Sequence, residues 1–158
     1  MLSHASRLVP LVLAGILAAA LVASGCGGSS DKDKAKAYRT GLAAATKKFD
    51  TQLTQAGATM SAAGQAKSRA QYGQGAQQLQ RAAVVFKKEI GALDTPSDAQ
   101  NEEKAALGAV DRFTAAVRRI NSAVQADDKA QTTANVAAVQ TTGAAVDQAI
   151  QTLKDAVK

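Results

Sequence analysis

Three sets of side chains in this 158-residue chain could carry chemistry. The first is its single cysteine, Cys26, with its single histidine, His4; a thiol and an imidazole are the parts of a nucleophile and base pair. The second is the densest acidic group, Asp94, Asp98, Glu102 and Glu103, which could bind a metal or share a proton. The third is basic: Lys47-Lys48, Lys87-Lys88 and Arg118-Arg119, charge pairs suited to an anionic headgroup or polymer. Each has a plainer reading. The carboxylates flank Pro96 and fall about the first turns of a predicted helix, where acidic residues offset the helix dipole. The lysines flank Phe49 and Phe86, so their stems would lie over apolar surface as solvated shoulders. Gly73-Gln74-Gly75 sits inside a helical stripe rather than after a strand, and reads as a site of close helix packing rather than a phosphate loop.

Cys26 closes a segment with the anatomy of a secretory leader: a short basic stretch ending in Arg7, an apolar run from Leu8 to Val22, then small residues. The apolar run is shorter than the ~20 residues a membrane-spanning helix needs, and it contains Pro10. Val22-Ala23-Ser24-Gly25-Cys26 resembles the lipobox of bacterial lipoproteins, in which small residues precede a cysteine that receives a diacylglycerol and becomes the new N-terminus; Ala23 stands where leucine is commonest. The resemblance covers the leader alone. It implies lipidation of Cys26 and anchorage to the extracytoplasmic side of a bacterial cell membrane. A lone thiol in an exported protein is thereby given a role.

Cleavage before Cys26 would remove His4 and Arg7. Eighteen of the nineteen basic residues would then face thirteen acidic ones, a side-chain charge of +5. That balance favours anionic phospholipid or wall polymer as surroundings, through attraction that salt screens. Without an imidazole, histidine-assisted Ser or Cys catalysis is excluded, as are Glu-x-x-His di-iron sites and histidine-ligated haem. No cofactor or metal is expected. Nucleic acid is a poor partner, because the five aromatic residues fall nearly all on apolar stripes rather than among surface arginines.

Three regions follow: the leader over 1–25, the cysteine and a Gly/Ser-rich tether over 26–33, and a helical domain over 34–158. Within the last, four segments show helical periodicity. They run through Tyr38, Leu42, Phe49 and Met60; through Tyr72, Leu79, Phe86 and Leu93; through Leu107, Phe113, Ile120 and Val124; and through Val136, Gly143, Ile150 and Val157. Predicted turns fall near Gly64–Ser68, at Asp94-Thr95-Pro96 and at Asp127-Asp128, with Thr95 and Asp128 as N-caps and Pro96 at a first helical position. Four helices of similar length, near 28 residues, would give rods of ~42 Å.

Short connections make neighbouring helices antiparallel, so residues equidistant from a turn lie level. About Asp128, Ile120 mirrors Val136, Val117 mirrors Val139 and Phe113 mirrors Gly143; across the Thr95 turn Phe113 also faces Ala76. About the first turn, Phe49 mirrors Phe86 and Leu42 mirrors Leu93, and Lys47-Lys48 falls level with Lys87-Lys88. Large side chains set against small ones satisfy close packing. The expected fold is all-α, an antiparallel up-down-up-down four-helix bundle. The expected function is that of a non-enzymatic lipoprotein of the cell envelope, a structural or interaction module; the alternative is a carrier holding a lipid or small molecule in a cavity of the bundle.

Overall fold

The computed structural model describes residues 30–157. The leader, Cys26 and the first residues of the tether, through Ser29, lie outside the described residues. Four α-helices follow in order: α1 over Asp31–Gln65, α2 over Arg69–Ile90, α3 over Gln100–Gln125 and α4 over Lys129–Ala156, with a single 3₁₀ turn at Ser97–Ala99 before α3. No strand occurs among the described residues. Helix α1 packs on α2, α2 on α3 and α3 on α4, which makes the expected four-helix bundle. Helices α1 and α4, which would complete the ring, approach one another much less closely.

Each helix start has a local cause. Ser30 accepts a hydrogen bond from the Asp33 amide, and its hydroxyl donates to the Asp33 carboxylate at 2.8 Å, a reciprocal cap. Helix α1 therefore begins at Asp31, and the tether read through Asp33 ends at Ser30. Ser68 caps α2 through the Gln71 amide, and Asp128 caps α4 through the Gln131 amide at 2.8 Å, as expected for Asp128. The first turn also falls where Gly64–Ser68 placed it.

Thr95 does not cap α3. Its hydroxyl turns to the Glu103 carboxylate, and the chain enters α3 through the 3₁₀ turn with Pro96 ahead of it. A carboxylate one helical turn into α3 competes successfully for that hydroxyl, because it also holds the Tyr38 hydroxyl arriving from α1 at 3.1 Å. The longer α2–α3 connection leaves α2 with 22 residues while α1 has 35, so the helices are not of one length.

The core carries the predicted layer. Phe49 and Phe86 stack with ring centroids 4.4 Å apart, and Phe113 meets Phe49 edge-on at 6.2 Å. A Cβ built on Gly143 would stand 3.7 Å from the Phe113 ring, so the large-against-small pairing of α3 with α4 is real. Ala76 is fully buried. Leu93 presses on Gly41, the neighbour of its expected mirror Leu42. Gly75 lets α2 close onto α1, since a Cβ there would come within 3.2 Å of backbone at Ala56 and Met60. Burial is uneven along the axis. Val146, Ile150 and Leu153 of α4 are buried, whereas Val136 and Val139, nearer the α3–α4 turn, are only partly covered.

Candidate functional site

The four lysines read as one cluster are divided by their partners. Lys48 pairs with Glu89, and Lys87 grips both oxygens of Asp111 at 2.6 and 2.7 Å. Lys47 lines a shallow groove with Asp50 and Lys154, and Lys88 is exposed on the outer side of α2. Two of the four, Lys48 and Lys87, are thus engaged by carboxylates. The acidic group near the start of α3 is likewise engaged: Glu103 accepts from Tyr38 and Thr95. Burial, and then the negative charge of Glu103, push the Tyr38 phenol well above its ordinary value. Among the described residues no group of His, Cys, Asp and Glu is arranged to hold a metal ion.

A cleft lies at the pole formed by the α1–α2 and α3–α4 turns. These turns are copies of one another. Gln65-Ala66-Lys67-Ser68-Arg69-Ala70-Gln71 recurs sixty residues later as Gln125-Ala126-Asp127-Asp128-Lys129-Ala130-Gln131. The hydrogen bonds repeat with the residues: Ala66 and Ala126 N–H donate to Ala62 and Ser122, each at 3.0 Å, and Ser68 and Asp128 N–H reach back to Ala63 and Ala123 at 2.9 and 3.0 Å. Lys67 and Asp127 occupy the left-handed position that closes such helix ends, with φ of 52° and 57°. The offset continues into the stripes, where Ile90 and Leu93 of the first hairpin correspond to Ile150 and Leu153 of the second. The molecule is thus a tandem pair of helical hairpins about a pseudo-twofold axis.

Between the two turns opens a cleft of roughly 770 Å³. Ala63, Tyr72 and Val124 give it apolar walls, Thr132 and Thr133 add hydroxyls, and Lys67, Arg69, Asp127 and Lys129 stand around it. Arg69 and Asp127 form an ion pair 2.5 Å long that ties the first turn to the second. Burial raises the Tyr72 phenol above its ordinary value, so it stays neutral at physiological pH. The sequence reading passed over these residues because it sought charge runs and motifs. Self-comparison at an offset of sixty would have found them, since the two heptapeptides differ most at the residues that line the cleft.

Comparison with known proteins adds no relative: no family model matches the chain, and neither a curated protein nor a solved structure resembles it significantly.

Proposed function

We propose that this chain is a membrane-tethered, non-enzymatic lipoprotein of the bacterial cell envelope, anchored through lipid on Cys26 and presenting its helical bundle as an interaction module on the extracytoplasmic side. The observation that carries this reading is the position of α1. It begins at Asp31, five residues after Cys26, and continues for 35 residues. A rod of that length spans ~52 Å. Lipid on Cys26 would hold one end of the bundle at the headgroups and set the twin turns, with their cleft, far from the bilayer. Among the described residues no helix is long and apolar enough to cross a membrane. The net positive charge would draw the bundle toward anionic lipid or wall polymer.

Mass spectrometry of the mature N-terminus tests the proposal. The expected product begins at Cys26 and carries a diacylglycerol. Two acyl chains, at ~0.8 kcal/mol per buried CH₂, anchor stably where one would not, so Cys26→Ser should leave the membrane fraction or persist as uncleaved precursor. A wild-type protein with a free Cys26 thiol, or a Ser variant processed identically and still membrane-bound in high salt, refutes it.

A carrier is the second reading, favoured by the cleft between the two turns. The aromatic layer of Phe49, Phe86 and Phe113 fills the middle of the bundle, so a ligand would sit at the pole between the turns rather than among the four helices.

A further inference from the structure

The pseudo-twofold axis relates the α2–α3 seam to the α4–α1 seam, yet the first is closed and the second is open. The two seams also differ in their surface charges. The closed seam is bridged by Arg69 with Asp127 and by Lys87 with Asp111. A shift of sixty residues carries Arg69 onto Lys129 and Asp127 onto Lys67, and it carries Lys87 onto Asp147 and Asp111 onto Thr51. Helices α1 and α4 keep the matching register, since Arg39 near the start of α1 donates to the carbonyl of Val157 at the end of α4 at 3.5 Å. At the cleft, the positions equivalent to the Arg69–Asp127 pair of the closed seam are therefore both lysine, Lys129 and Lys67, and both line the cleft.

Asp127 is engaged by Arg69, and Asp128 accepts the Gln131 amide as the cap of α4. Among the described residues, neither Lys67 nor Lys129 forms an ion pair. The cleft thus sets three cationic side chains, Lys67, Arg69 and Lys129, against two carboxylates, Asp127 and Asp128, beside apolar walls from Ala63, Tyr72 and Val124. The cleft is of a size that takes small ligands.

We infer that the distal cleft binds a small organic anion, with a carboxylate or phosphate group between Lys67 and Lys129 and an apolar or aromatic body against Tyr72 and Val124. An inorganic anion would satisfy the lysines and leave the apolar wall wet, so the organic body supplies part of the affinity. This inference is independent of the lipid anchor, since losing anion binding would leave the processing of Cys26 unchanged.

The test titrates the full-length chain, purified in neutral detergent, with phenyl phosphate, benzoate and inorganic phosphate, followed by calorimetry and by the ring resonances of Tyr72. Phenyl phosphate and benzoate should bind saturably, more weakly as salt rises, and about tenfold or more tighter than inorganic phosphate. Lys129→Gln should weaken them about tenfold with helicity unchanged. Lys67→Asp is the sharper variant. It places at Lys67 the residue its sister turn carries, which suits a left-handed φ, and it gives Lys129 a carboxylate. It should abolish binding and raise the melting temperature. Lys88→Gln, on the outer side of α2, should bind like the wild type. Equal binding by Lys67→Asp and wild type, equal affinity for inorganic phosphate and the aromatic anions, or no saturable binding by the folded wild-type chain would each overturn the inference.

Discussion

Phe113→Ala is the perturbation on which the bundle's register stands or falls. The ring is 3 % exposed, meets Phe49 edge-on and lies over the bare backbone of Gly143. Deleting a buried phenyl ring costs ~3–5 kcal/mol, made of lost transfer energy and the cavity left behind. The surroundings place this site in the upper half of that range. Phe49 is stacked on Phe86 and cannot swing into the void without losing that contact, and Gly143 has no side chain to offer. Gly143→Leu alone should also destabilise, by ~1–3 kcal/mol, because it drives a side chain into the ring. The two changes together should be better than their sum, since the new leucine occupies the space the ring vacates; a favourable coupling of ~1–2 kcal/mol is expected. Urea unfolding followed by circular dichroism measures all three, with an unchanged m-value required for the comparison. A loss below ~1 kcal/mol for Phe113→Ala, or strict additivity in the double variant, would refute the packing of α3 against α4 described here.

The α1–α2 seam should respond oppositely to alanine at different glycines. Gly57 and Gly64 have open space around a built Cβ, so alanine should stabilise by up to ~1 kcal/mol each through helix propensity, whereas Gly75→Ala collides with Met60 and should lower the urea midpoint. Tyr38 should shape the alkaline limb. Its folded-state pKa is raised, so its contribution is fully present below the unfolded tyrosine value near 10 and is lost as pH climbs above it. Tyr38→Phe should flatten that loss in a pH-dependent thermal melt and, by leaving Glu103 with fewer donors, cost ~1–3 kcal/mol at neutral pH. Lys48→Gln and Lys87→Gln should each change the unfolding free energy by no more than ~1 kcal/mol, since both ion pairs are solvent-exposed; a larger loss in urea titration would mean the pairs organise more than their own surface.

The sequence by itself determined what local physics controls. Apolar spacing of three and four residues marks the stripes of all four helices, Asp128 announces the start of α4, and the small residue at Gly143 meets Phe113 because equal step counts from a tight turn leave antiparallel helices no other register. The expected leader and lipidation of Cys26 rest on a contiguous pattern too, and lie outside the described residues. Tertiary structure decided whatever depends on distances between remote segments. Lys48 and Lys87 sit at the predicted level yet bond Glu89 and Asp111, because a side chain's partner is chosen by helix rotation and interaxial distance. Thr95 forsakes its cap for Glu103 because Tyr38, from a helix far away in sequence, brings the network together. The twin turns were present as a repeat, but the repeat alone does not say which seam closes. That was settled only by the packing, in which Arg69 meets Asp127 across α2 and α3 while α1 and α4 approach one another much less closely.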